Sequence, residues 1–104
     1  MEGARAKGYK VEVERDLGNG GICDVHLEKG GQRIAVEVAV LSKPERETEH
    51  IKRCLDAGYD RVFNIFADEG LLAKTQEAMT GLFSDKEMAR IRLFPLKKLE
   101  GLFQ

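Results

Sequence analysis

Residues 20–40, GGICDVHLEKGGQRIAVEVAV, contain two runs of alternating apolar and polar residues separated by a Gly-Gly pair. Alternation with a period of two is typical of a strand with one buried face, and paired glycines accept the positive φ angles of a tight turn. The stretch therefore predicts an antiparallel hairpin of strands 22–28 and 33–41. Its register places Asp24 opposite Glu37. Like charges at opposed positions destabilise a strand pair, so the two acids require an explanation.

A third strand precedes this hairpin. Residues 9–17, YKVEVERDL, alternate in the same way and are followed by a Gly-Asn-Gly-Gly turn. A register that keeps the apolar faces together pairs Glu14 with Asp24. Glu14, Asp24 and Glu37 are then expected to form a row of three carboxylates across three strands.

The rest of the chain predicts helices alternating with strands. A capping box at residues 42–45, SKPE, opens a helix that reaches residue 57, and residues 60–67, DRVFNIFA, are apolar enough for a strand buried on both faces. A second helix over 68–82, a short capped turn at 84–87 and a strand at 91–94 complete the order. The sequence therefore predicts an α/β fold: a mixed β-sheet with a three-stranded antiparallel meander, a parallel crossover strand and flanking helices.

The composition is that of a folded domain. The 104 residues are 42% hydrophobic and 34% charged, a composition typical of a small globular protein. The formal net charge of −1 does not by itself indicate nucleic-acid binding. No apolar run is long enough to span a bilayer, and the N-terminus has no secretory signal. We expect a cytoplasmic protein without a membrane partner.

The chain is interpreted as one domain over residues 1–98, taken from a longer protein. Residues 99–104, LEGLFQ, resemble the remnant of a viral 3C-type protease site and are interpreted as a tag remnant without function.

Two explanations of the carboxylate row remain open from the residues alone. Hard divalent cations such as Mg²⁺ take carboxylate oxygens, and a bound ion relieves the repulsion between acids. Alternatively, the row is solvated at a sheet end, or is neutralised by Arg and Lys side chains of the covering helix.

The order of these residues resembles the PD-(D/E)xK nuclease superfamily, which has the restriction-endonuclease-like fold. Asp24, then 12 residues, then Glu37, followed by a helix and a buried strand, carries the resemblance over residues 9–67. Residues 53–63, RCLDAGYDRVF, also resemble the helix-to-strand passage of nuclease-like domains in mobile-element and DNA-transfer proteins. The resemblance implies that Asp24 and Glu37 hold Mg²⁺ and that DNA is the partner.

One residue departs from the superfamily pattern. Ala39 stands where the motif lysine would orient the attacking water, and Lys43 or Lys52 on the next helix is a candidate substitute. The favoured function is therefore a nuclease-like domain, degenerate or weakly active, that contacts DNA through a carboxylate and metal site. The alternatives are an active Mg-dependent DNA endonuclease, using Asp24, Glu37, Glu14 and Lys43, and a non-catalytic module that binds a partner protein or forms a homodimer.

The remaining polar candidates are predicted to be structural. His26 is expected on the carboxylate face, where it is either hydrogen-bonded or in contact with a phosphate. His50 and Cys54 lie one helical turn apart, but the sequence shows no further zinc ligand beside them. Cys23 is expected to point away from the carboxylates into the core, and Asn64 to be a hydrogen-bonded core residue.

Overall fold

The computed structural model describes residues 8–96. Their strands are β1 (Lys10–Asp16), β2 (Ile22–Lys29), β3 (Gln32–Ala39), β4 (Arg61–Phe66) and β5 (Ile91–Pro95), and their helices are α1 (Pro44–Asp56), α2 (Glu69–Met79) and α3 (Asp85–Met88). The predicted order of elements is confirmed. The predicted tag remnant at 99–104 and the domain boundary at 98 lie outside the described residues. Between residues 8 and 96, no helix combines the length and apolarity needed to cross a bilayer.

The five strands form one sheet and lie side by side in the order of the sequence. β1, β2 and β3 are antiparallel to one another, whereas β3, β4 and β5 run parallel. Val25 pairs with Val13 on one side and with Val36 on the other, so the predicted register is confirmed on the apolar face. The mixed α/β architecture with an antiparallel meander and a parallel crossover is therefore present.

The starts of the helices agree with the sequence in two cases out of three. Asp68 caps α2 by accepting the Gly70 N–H, and α3 has its predicted capping box. The capping box predicted for α1 is wrong, because Lys43 is the N-cap and no side chain caps it. Pro44 occupies the first turn, where its fixed φ favours a helix and its missing N–H requires no partner. The buried Ser42 hydroxyl has no partner within residues 8–96.

The main core lies between the sheet and the helices. Its buried members are Cys23, Ala35, Ile51, Cys54, Leu55, Tyr59, Val62, Met79 and Ile91. The prediction that Cys23 points away from the carboxylates is wrong, since it packs on the helix side, where Glu37 is also buried. The cause is a break in strand alternation: the β1–β2 ladder skips Glu14 and Asp24, and Glu14 has a φ of 52°, in the left-handed region.

Candidate functional site

Asp24 and Glu37 come together where β2 separates from β3. The ladder between these strands ends at the pair of Val25 and Val36. Beyond it, Asp24 Oδ2 accepts the Val38 N–H at 2.9 Å, and both Glu37 carboxylate oxygens lie 3.4 Å from the Asp24 nitrogen, which donates to them. Two carboxylates thus take the place of strand carbonyls as acceptors. The two acids therefore lie close together, although not as the opposed ladder pair that the register predicts.

Glu37 is buried beneath α1, with 2% of its surface exposed. Its Oε1 lies 3.5 Å from the Cys54 Sγ, and its Oε2 lies 3.5 Å from the His50 Nε2. Burial, reinforced by the charge of Asp24, raises the pKa of the Glu37 carboxyl to about 8. Without a cation, this side chain is therefore mostly protonated at pH 7.

Two adjoining clefts open onto this acid pair. The smaller, of about 270 Å³, is lined by Asp24, Glu37, Val38, Ala39, Val40, Leu41, Ser42, Arg46, Glu47 and His50. The larger, of about 730 Å³, is lined by Glu14, Gly20, Gly21, Ile22, Asp24, Arg46, Glu49, His50 and Arg53. Asp24, Arg46 and His50 belong to both, so they lie at the boundary between the clefts.

The other predicted site residues are not all brought to this boundary. Glu14 is exposed and lines the larger cleft, whereas Glu37 lines the smaller one. The three acids therefore do not share one cleft, and Asp24 is the member that lines both. Ala39 lines the smaller cleft and is buried, which leaves a methyl group where the superfamily has its lysine. Lys43 is exposed at the N-cap of α1 and lines neither cleft.

Two residues of α1 belong to the site although the sequence did not single them out. Arg46 is exposed, and its guanidinium has no hydrogen-bond or ion-pair partner within residues 8–96. Glu47 is buried and accepts a hydrogen bond of 3.2 Å from the Asn64 side-chain nitrogen, in agreement with the expected role of Asn64. The four-residue spacing of Arg46 and His50 places both on one face of α1.

His26 lies deeper in the sheet and has a structural role. It is buried, with its Nδ1 2.8 Å from the Tyr59 hydroxyl and its Nε2 3.0 Å from the Arg15 Nη1. Burial lowers the pKa of its imidazole. In the neutral form, Nε2 accepts the Arg15 N–H and the Nδ1–H donates to Tyr59. Of the two predicted roles, the hydrogen-bonded one matches the structure.

Comparison with known proteins finds no family model, curated protein or solved structure that matches this chain. The resemblance to the PD-(D/E)xK superfamily therefore stays a prediction based on Asp24, Glu37 and the order of elements. The site itself offers carboxylate oxygens, an imidazole and the Arg46 guanidinium on one surface. These groups are suited to a divalent cation and to an anion beside it.

Proposed function

We propose that the chain is a nuclease-like domain that holds a divalent cation between Asp24 and Glu37 and contacts the DNA backbone, with weak or no hydrolytic activity. The observation that carries the proposal is the pairing of buried Glu37 with half-buried Asp24 in one cleft near the carboxyl end of β3. In sheets with parallel strands, ligands commonly bind beyond the carboxyl ends of those strands. The restriction-endonuclease-like fold is part of the same proposal, and the meander followed by a crossover strand supports it.

The residues present fit a hard cation such as Mg²⁺, which prefers carboxylate oxygens. Asp24, Glu37 and Glu47 all line the smaller cleft and supply such oxygens. The contacts of the Glu37 oxygens with the Asp24 nitrogen, the Cys54 Sγ and the His50 Nε2 are long, at 3.4 to 3.5 Å, so an ion can compete for these oxygens. Asp24 and Glu37 would hold the cation. Mg²⁺ in that position would supply positive charge beside a phosphate and polarise its oxygens.

Arg46 is the group best placed to meet the phosphate. It stands at the boundary of the two clefts, its guanidinium has no partner in the part of the chain that the structure describes, and guanidinium groups bind phosphate oxygens in a bidentate manner. Without a cation, the acid pair offers no positive charge to an anionic backbone, and any ionised carboxylate in it would repel that backbone. DNA contact at this surface is therefore expected to depend both on Arg46 and on the cation.

Hydrolysis requires a group that activates water, and the site lacks a good one. The methyl group of Ala39 cannot donate or accept a proton. The His50 Nε2 lies 2.7 Å from the Ile22 carbonyl oxygen, to which it must donate, so it cannot also take a proton from water. Lys43 lies outside both clefts. These positions favour cation and DNA binding over efficient cleavage.

Calorimetric titration with Mn²⁺ tests the cation site. Asp24→Asn should weaken binding at least about tenfold, because it removes a charged ligand and keeps the hydrogen-bond acceptor. Asp56→Asn is the matched control, since Asp56 is exposed at the end of α1 and lines neither cleft. Absence of Mn²⁺ binding by the unaltered chain, or equal binding by Asp24→Asn, would refute the proposal.

DNA contact and cleavage are tested separately. Fluorescence anisotropy of a labelled duplex should show Mg²⁺-dependent binding that Arg46→Gln weakens and that Arg61→Gln, an exposed arginine at the start of β4, does not. A plasmid-nicking assay should show slow nicking at most. Rapid nicking that is lost in Glu37→Gln and in Lys43→Ala would instead establish the active-endonuclease alternative.

A second candidate, the interaction or dimerisation module, is favoured by the apolar rim of the smaller cleft. Val38, Val40 and Leu41 are exposed there, and Leu41 retains 94% of its surface. Exposed apolar patches often mark protein contacts. A concentration-dependent dimer in sedimentation velocity that Leu41→Ser abolishes, with no Mn²⁺ binding by calorimetry, would favour this function over the first.

A further inference from the structure

We propose that Glu37, His50 and Cys54 form a site for a transition-metal ion of the zinc class. A carboxylate oxygen of Glu37, a ring nitrogen of His50 and the Cys54 Sγ lie within 4.8 Å of one another. β3 supplies the first donor, and one turn of α1 supplies the other two. The inference goes beyond the proposed function, because it does not require Asp24 to hold Mg²⁺ and shares only Glu37 with that site.

The separations between donor atoms suit a tetrahedral ion. Bonds from zinc to nitrogen and oxygen are about 2.0–2.1 Å and to sulfur about 2.3 Å, so neighbouring donors lie about 3.3–3.6 Å apart. The His50 Nε2 and Glu37 Oε2 are 3.5 Å apart, and so are the Cys54 Sγ and Glu37 Oε1. Glu37 therefore stands between the imidazole and the thiol, with one carboxylate oxygen at such a distance from each, and the three donors lie close enough to converge on one ion after small side-chain adjustments.

The chemistry of the donors selects a different metal from the one implied for Asp24. Thiolate and imidazole favour zinc and similar ions, whereas magnesium requires oxygen ligands. The charges also balance, because one carboxylate and one thiolate neutralise a divalent ion. The core would then contain a neutral unit rather than an unpaired charge.

The access to the site and the number of its ligands are compatible with binding. His50 keeps 26% of its side chain exposed and lines both clefts, which gives an ion a route from solvent. Three protein ligands leave a fourth position for water or another small ligand. On binding, the Cys54 thiol and the protonated Glu37 carboxyl release their protons to solvent. The His50 proton moves from Nε2 to Nδ1, so the imidazole stays neutral and its hydrogen bond to the Ile22 carbonyl is given up.

Titration with Co²⁺, followed by absorption spectroscopy, tests the site. We expect one equivalent to bind with tetrahedral ligand-field bands and a thiolate-to-cobalt charge-transfer band in the near ultraviolet, all removed by added Zn²⁺. Cys54→Ala should abolish the charge-transfer band. His50→Gln, which retains a donor for the Ile22 carbonyl, should weaken binding at least about tenfold. Cys23→Ala identifies which thiol binds, because Cys23 is the other buried cysteine and also lies beside Glu37; the charge-transfer band should survive this substitution.

Each outcome decides the inference. It is overturned if the unaltered chain shows no charge-transfer band, if the band survives Cys54→Ala, or if His50→Gln binds Co²⁺ as tightly as the unaltered chain. Should Cys54→Ala fail to fold by circular dichroism, His50→Gln decides alone. Asp24→Asn separates the two proposals: it should keep the cobalt band while losing Mn²⁺ affinity. Mn²⁺ binding without a cobalt band would remove only this inference.

Discussion

Replacing Glu37 with glutamine should remove a pH-dependent destabilisation of the metal-free protein. Burial and the neighbouring Asp24 raise the pKa of Glu37 from 4.5 to about 8. Between these values the unfolded chain has released the proton while the folded chain keeps it, so the free energy of unfolding falls as pH rises. Below the lower value both states are protonated and the penalty is absent. Above the higher value both are ionised and the penalty is complete.

The size of the effect follows from the shift. One pKa unit corresponds to about 1.4 kcal/mol, so the change at Glu37 amounts to about 5 kcal/mol at full ionisation in a rigid site. Glutamine keeps the length of the side chain and an acceptor for the Asp24 N–H, but it does not ionise. Glu37→Gln should therefore match the unaltered chain near the lower pH limit and exceed its stability by up to about 5 kcal/mol near pH 9.

Urea unfolding followed by circular dichroism, with EDTA present, measures the free energy of unfolding from about pH 4.5 to about pH 9. Glu77→Gln is the matched control, because Glu77 is exposed on α2 and should leave the pH profile unchanged. Parallel profiles for the unaltered chain and Glu37→Gln would refute the assignment of a raised pKa to Glu37. Added Mn²⁺ should stabilise the unaltered chain at high pH and should have little effect on Glu37→Gln.

Three further substitutions test the surroundings of the site. Tyr59→Phe removes the hydroxyl 2.8 Å from the His26 Nδ1 and should cost about 1–3 kcal/mol in urea unfolding at neutral pH; an unchanged midpoint would contradict the hydrogen-bonded role. Ala39→Lys restores the superfamily lysine but should lower stability by at least about 2 kcal/mol, because Ala39 is buried against Phe66; an unaltered Tm would show that the position has room. Gly58→Ala should cost about 1–2 kcal/mol in thermal unfolding, since Gly58 has a φ of 92°, and a variant of equal Tm would show that the turn relaxes freely.

The sheet could be predicted because its signals are local. Alternation defined β1, β2 and β3, and the apolar run at residues 60–67 gave β4 to within a residue or two. The pairing of Val25 with Val13 and Val36 follows from keeping one face apolar. That same register placed Asp24 beside Glu37, so the centre of the candidate site was accessible from the sequence.

The rest of the site depends on features that local patterns do not encode. The side of the sheet to which Cys23 points goes with a break in the β1–β2 ladder at Glu14 and Asp24, where Glu14 has a left-handed backbone uncommon for glutamate. The inclusion of Arg46 depends on how α1 is rotated about its own axis relative to the sheet. The raised pKa of Glu37 depends on how completely α1 covers it. Each of these is a tertiary property.

Both acids have a role in the fold, and this role determines how substitutions there should be interpreted. The Asp24 carboxylate accepts the Val38 N–H, and the Glu37 carboxylate accepts the Asp24 N–H. An alanine at either position would therefore remove a hydrogen bond at the strand ends as well as a ligand for any ion. Neither hydrogen bond requires a negative charge, because an amide carbonyl also accepts an N–H, although more weakly than a carboxylate. The charge of Glu37 instead destabilises the folded chain wherever it ionises. Glutamine at position 37 would keep the hydrogen bond to the Asp24 N–H and would avoid the loss of stability on ionisation. A carboxylate at such a position is expected when the side chain binds a ligand. Both functional proposals depend on the negative charge of these side chains. Asp24→Asn and Glu37→Gln test that charge, because they remove it and keep the hydrogen-bond acceptors.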